Sequence, residues 1–118
     1  MKSREMEHEI RPWGQFWVLE DSKTHKVKRI EVNPGGRLSY QYHTKRAEVW
    51  TIVEGKGRIT LEGNTQVYKV GEVIIIPLGT KHRISNVENE KCVFIEIQYG
   101  SYFGEDDIVR IEDDYERV

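Results

Sequence analysis

Short apolar runs, each closed by a turn, follow one another along most of this chain, and no stretch of useful length keeps a helical period. The runs KVKRIEV, LSYQYH, EVWTIVE, GRITLE, TQVYKV, EVIIIP, KHRISNV and CVFIEIQY either alternate or are continuously apolar, and Gly55, Gly57, Gly63, Gly71 and Gly79 punctuate them. An earlier strand is predicted over residues 13–19, and KVKRIEV ends at the turn Asn33-Pro34-Gly35-Gly36. Eight or nine short strands at this spacing predict an all-β domain, a sandwich or a jelly-roll barrel. Periodicity does not choose between them. The acidic tail, GEDDIVRIEDDYERV, is expected as a short strand or turn continued by a surface arm.

A chain of 118 residues supports one core. With 37% hydrophobic and 32% charged residues it reads as soluble and globular. A formal net charge of -2 supplies no global field for nucleic acid or anionic lipid. No run approaches the roughly 20 apolar residues of a membrane span, and MKSREMEHEI lacks a signal-peptide apolar stretch, so a cytoplasmic location is expected. The single cysteine, Cys92, excludes an intrachain disulfide and sits in KCVFIEI as a packing residue. His8 and His25 have no chemical context and are expected at the surface.

Strand alternation groups the polar residues that matter. In LSYQYH it puts Ser39, Gln41 and His43 on one face, with Tyr40 and Tyr42 on the other. After the loop TKRA, Glu48, Trp50 and Ile52 share a face. His82, Ile84 and Asn86 alternate with Arg83 and Ser85. Should these faces line a barrel, Gln41, His43, Glu48 and His82 converge. Two imidazoles, a carboxylate and an amide oxygen suit one divalent transition metal, zinc first, with Mn, Fe, Co or Ni also compatible.

The spacing is equally informative. Residues 35–55 read G-x5-Q-x-H-x4-E-x6-G, and residues 71–86 read G-x5-P-x-G-x2-H-x3-N. These resemble the two signature motifs of the cupin superfamily, with Gln41 where the first motif normally has His. The second fits at Gly71, Pro77, Gly79, His82 and Asn86. The resemblance implies a single-domain cupin over 1–118, a double-stranded β-helix or jelly-roll barrel, with a core about 11–104 and an acidic arm 105–118. The fragments RPWGQFWVL, KVKRIEVNPGGRLSYQYHTKRAEVW, IPLGTKHRISN and IEIQYGSYFGEDDIVRIEDDY narrow this further. They resemble the type II mannose-6-phosphate isomerases, whose domain often forms the C-terminal part of a bifunctional enzyme with a mannose-1-phosphate guanylyltransferase. Q-x-H at residues 41–43 follows that family's pattern. Val49 departs from it, standing where the family usually has His, and Glu116 follows Tyr115 where the family usually has Gly. No glycine-rich nucleotide-binding loop is visible, so nucleotide-sugar synthesis is not expected of this chain.

The resemblance implies interconversion of mannose 6-phosphate and fructose 6-phosphate through an enediol. A bound metal would polarise the carbonyl, and the neutral Gln41 would leave it more charge for that task than a second carboxylate. Glu48 is committed to the metal, so the general base must be another group. Glu96 and Gln98, polar residues on one face of the apolar strand FIEIQY, are the candidates to line the cavity, with Glu96 as base. Lys28, Arg46, Arg83 and Arg110 are the candidates for the substrate phosphate, and Trp50 for a cavity wall. Two other readings stand beside this one: a cupin that binds a sugar phosphate without turnover, and a metal-dependent cupin oxygenase. Small cupins commonly dimerise, so a homodimer is implied. Trp13, Phe16 and Trp17 would serve as its anchors or as core.

Overall fold

In the computed structural model, residues 7–115 are described. The strands are β1 (Glu7–Arg11), β2 (Gly14–Asp21), β3 (His25–Val32), β4 (Tyr40–His43), β5 (Arg46–Glu54), β6 (Lys56–Leu61), β7 (Asn64–Lys69), β8 (Val73–Ile76), β9 (His82–Ser85), β10 (Cys92–Gly100) and β11 (Ile108–Glu112). A single 3-10 turn, Glu105–Asp107, precedes β11. The strands form a six-stranded sheet in the order β1-β2-β3-β10-β5-β8 and a five-stranded sheet in the order β11-β4-β9-β6-β7. All pairings are antiparallel. The architecture is the all-β double-stranded β-helix.

Alternation decides what each strand buries. β8 reads VIII, yet only Ile74 and Ile76 are buried, while Val73 and Ile75 face outward. In β5, Glu48, Trp50 and Ile52 are buried and Val53 is exposed. The core lies between the sheets: Phe16, Ile30, Trp50, Ile52 and Phe94 from one, Leu38, Ile59 and Ile84 from the segments of the other. Each such side chain contributes about 1.5–3 kcal/mol on burial. Trp13 and Phe16 belong to this core. Trp17 points the other way, half-buried, with the His8 ring stacked on it at 4.7 Å and the Arg29 guanidinium 5.7 Å from its centre. Cys92 is fully buried beside Ile84 at the Gly57 crossing, and burial pushes its thiol up to about 11, consistent with a packing role.

Both ends bear on the expected core, 11–104. The acidic tail holds the short strand expected there, β11. β11 pairs with β4 in register, Ile108 with His43 and Arg110 with Gln41, and Tyr115 packs against the core. At the other end, EHEIR forms β1, paired with β2 before residue 11. The barrel therefore extends past both 11 and 104, while Glu116 lies outside the described residues. Among the described residues no helix is long and apolar enough to cross a membrane.

Candidate metal centre and its cavity

The inner face of the six-stranded sheet carries the site in two adjacent rows. One row runs Lys28 (β3), Glu96 (β10), Trp50 (β5), Ile74 (β8); the next runs Gln98, Glu48, Ile76. The opposing sheet supplies His43 from β4 and His82 from β9, and Gln41 pairs with His82 in register. The turn ahead of β9 fixes His82. Gly79 has φ +75°, a left-handed conformation that a side chain would strain, and its N–H donates to the His43 carbonyl at 2.8 Å. The two histidine-bearing segments are thus tied by backbone.

One ligand atom from each of His43, Glu48 and His82 lies within 4.8 Å of the other two, and all three residues are buried. His82 Nδ1 is 2.8 Å from the Thr80 carbonyl, and His43 Nδ1 is 3.3 Å from the Asp107 carbonyl. A carbonyl only accepts, so each Nδ1 is the donor, which turns each Nε2 toward the cluster. Burial holds His82 below its ordinary pKa range, against the opposing pull of Glu48. His82 Nε2 is buried with no hydrogen-bond partner. Glu48 Oε2 lies 3.2 Å from His43 Nε2, and Oε1 lies 3.8 Å from His82 Nε2. Lone pairs facing lone pairs in a desolvated space call for a proton or a cation between them. Two imidazoles and a carboxylate, with an amide alongside, fit a divalent metal that keeps open positions. Burial would raise the Glu48 carboxyl, but with a proton held on His43 Nε2 the hydrogen bond from that ring, the charges of His82 and His43 when protonated, and that of Arg46 outweigh it. Glu48 is held far below the usual carboxylate range.

Around the ligands sits an orienting layer. Trp50 Nε1 donates to Glu48 Oε1 at 3.0 Å, and Arg46 Nε donates to Oε2 at 2.9 Å. The Asp107 carboxylate accepts from Thr44 N at 3.2 Å, Thr44 Oγ1 at 2.7 Å and Lys45 N at 2.9 Å, which fastens the loop after His43 to the start of β11. Such contacts hold ligands in place and tune their basicity.

The cavity is lined by His43, Arg46, Glu48 and Trp50 and, among others, by Arg11, Phe16, Lys28, Gln41, Glu96 and Arg110. It offers about 540 Å³, part of it open to solvent, which is room for the reacting end of a small ligand whose remainder lies toward the mouth.

The sequence matches the family described as "Mannose-6-phosphate isomerase C-terminal" over residues 2–113. The chain belongs to this family. A putative mannose-1-phosphate guanylyltransferase of Vibrio cholerae is 44% identical over 110 residues, covering 93% of this chain and 24% of that protein. The mannose-1-phosphate guanylyltransferase ManC of Salmonella typhimurium is 44% identical over 108 residues, covering 92% of this chain and 22% of its own length. The chain therefore spans about a quarter of the curated relatives it matches. Among solved structures, the capsular polysaccharide assembling protein CapF of Staphylococcus aureus superposes with a TM-score of 0.77 at 23% identity, over 93% of this chain and 35% of that one. A double-stranded β-helix protein of Klebsiella pneumoniae gives 0.73 at 19% identity, over 82% and 83%. At these identities the likeness shows the fold alone.

Within this mannose-6-phosphate isomerase-family domain, the residues singled out from sequence divide clearly. His43, Glu48 and His82 cluster, and Gln41, Lys28, Arg46, Trp50, Glu96, Gln98 and Arg110 line the same cavity. Arg83 does not. Its Nε donates to the Leu38 carbonyl at 2.9 Å, and its NH1 and NH2 reach Glu112 Oε1 and O at 2.9 and 3.1 Å. It faces away from His82 and straps β11 to β9, so the expectation of a phosphate contact is replaced by a structural one. Asn86 is also structural, donating to the Val32 and Glu90 carbonyls and accepting from Glu88 N. Glu96 and Gln98 are buried, and Gln98 Nε2 donates to Glu96 Oε1. Burial, helped by the nearby Glu48 charge, pushes Glu96 up to about 7 despite Lys28, Arg46 and the Gln98 hydrogen bond. Arg11 and Asp107 were missed. EHEIR is too charged to read as a strand, and Asp107 is one of several acids in a run that reads as solvated surface.

Proposed function

We propose that this domain is a metal-dependent isomerase interconverting mannose 6-phosphate and fructose 6-phosphate. The observation that carries this reading is a pair of buried carboxyls in one cavity whose acidities are pushed apart. Glu48 is ionised within a histidine cluster, and Glu96 is raised to about 7. That division separates a ligand from a base poised near neutrality. The metal, when bound by His43, Glu48 and His82 with Gln41, supplies Lewis-acid polarisation of the substrate carbonyl. The Glu96 carboxylate takes the proton from C2 of the aldose and returns it to C1, while a hydroxyl proton shifts between O2 and O1, so the sugar phosphate is rearranged without gain or loss of atoms. Gln98 Oε1, buried and without a hydrogen-bond partner, would accept from a substrate hydroxyl. Trp50 and Arg46 hold the Glu48 carboxylate through the exchange. A hexose phosphate as ligand, a homodimer as assembly and a cytoplasmic setting complete the reading.

The test is a coupled assay on protein reconstituted with Zn, Mn, Co or Ni. Fructose 6-phosphate should form from mannose 6-phosphate. It should vanish in the Gln41→Ala/His82→Ala variant and in Glu96→Gln, with Glu96→Gln still binding metal. Metal binding without turnover under all metals would refute the isomerase and leave a sugar-phosphate-binding domain.

A further inference from the structure

The cavity wall is more cationic than a protein of net charge -2 would lead one to expect. Arg11, Lys28, Arg46 and Arg110 line it against the carboxylates Glu48 and Glu96. These four cations are not equivalent. Arg46 bonds Glu48 Oε2 and lies 3.5 Å from His43 Nε2, and Arg110 pairs in register with Gln41, so both belong to the end of the cavity that holds the metal ligands. Arg11 and Lys28 stand elsewhere, on either side of Phe16. The Arg11 guanidinium carbon is 5.3 Å and Lys28 Nζ is 4.3 Å from the centre of that ring.

From this arrangement we infer that Arg11 and Lys28, astride Phe16, form the subsite for the phosphate of a phosphorylated sugar, resting on the isomerase reading of the same cavity. Sheet geometry sets the scale. Neighbouring strands are about 4.8 Å apart, and Phe16 lies on β2, two strands from Glu96 on β10. Phe16 is also two residues along from Val18, the position in line with Glu96, so the floor between Glu96 and Phe16 spans about 12 Å. A hexose 6-phosphate carries its phosphate at the end of the carbon chain remote from C1 and C2. With those carbons at Glu96 and the metal ligands, the phosphate is carried toward β2. Lys28 is the cross-strand neighbour of both Glu96 and Val18, so it bridges the two ends.

Arg11 reaches the inner side because it shares a strand face with Glu9, whose register partner is Phe16; Ile10 between them is exposed. Glu9 holds Arg11 at 2.8 Å through a pair in which both side chains retain about a third of their exposure. A pair so wetted is weak and yields to a dianion that accepts a guanidinium fork bidentately. Phe16 supplies an apolar floor that keeps both cations partly desolvated, which strengthens their hold on phosphate.

The experiment is calorimetric titration of the full chain loaded with Co2+, using mannose 6-phosphate and, separately, inorganic phosphate. The visible spectrum reports whether either ligand touches the metal. Arg11→Gln should weaken mannose 6-phosphate binding by about tenfold or more. Arg11→Lys should restore part of it, and Glu9→Gln should tighten it, with Co2+ affinity the same in all three. Unchanged affinity in Arg11→Gln, a loss matched by a loss of Co2+, or a wild type that binds neither ligand overturns the subsite. A wild type that binds mannose 6-phosphate but does not isomerise it refutes the isomerase reading, and a selective loss in Arg11→Gln would still support the subsite.

Discussion

Glu96 makes the stability of the metal-free protein depend on pH in a way that can be worked out in advance. Unfolded, its carboxyl releases its proton near the ordinary 4.5; folded, burial moves release to about 7. Between those values the folded chain binds more protons than the unfolded one, so this group's contribution to stability falls as pH rises. It is fully present below about 4.5 and lost above about 7. The displacement corresponds to about 3 kcal/mol. Glu96→Gln keeps the shape and the Gln98 contact but cannot ionise. In chelator-treated protein, the stability of Glu96→Gln relative to wild type should therefore rise by about 3 kcal/mol between pH 4.5 and pH 8.5. For a domain of this size that is about 10 °C in melting midpoint. Urea unfolding at several pH values measures the difference, in which the other titrating groups cancel. With metal bound the difference should shrink, because a cation beside Glu48 offsets the repulsion that helps raise Glu96. A difference that stays flat from pH 4.5 to 8.5 would refute the argument that burial holds Glu96 protonated, and with it the case for a base near neutrality.

Two further outcomes follow from the layer around the ligands. Trp50→Phe removes the 3.0 Å hydrogen bond to Glu48 Oε1, and Co2+ affinity followed by visible absorption should fall by about ten- to a hundredfold; unchanged affinity would show that the indole N–H does not orient the carboxylate. Arg83→Met severs the strap to Leu38 and Glu112 and should cost about 2 kcal/mol, with faster proteolysis of β11 and no change in metal affinity. A raised KM at full stability in that variant would instead return Arg83 to the substrate.

The alternation of LSYQYH and EVWTIVE, with the spacing from Gly79 to His82, already groups His43, Glu48 and His82 on faces that can meet. Period-two geometry is local, and a buried strand face leaves its mark in every second residue. The same rule separates Arg83 from His82. Arg83 entered the phosphate candidates by charge alone, which says nothing of direction. β1 escaped recognition because an edge strand of charged sequence carries little apolar signal, whereas β11 is the short strand expected in the tail; together they bring Arg11, Ile108 and Arg110 to the cavity.

What the chain could not declare on its own is which face of FIEIQY is interior. Alternation groups Glu96 with Gln98 and Ile95 with Ile97, and on hydrophobicity the isoleucines would be the buried pair. The fold buries the polar pair and leaves Ile97 exposed. The cause is non-local: β10 is held between β3 and β5, in a register that sets Glu96 between Lys28 and Trp50 and Gln98 beside Glu48. A one-residue slip would reverse that face, and the whole barrel, through Phe94 in the core and the cation-rich wall, selects the register. Local sequence thus determined the strands and the ligand-bearing faces. Tertiary pairing decided that a carboxyl, drawn out of water with the rest of its strand, would sit beside a histidine cluster, because burial is a property of the assembled sheets and not of any one strand.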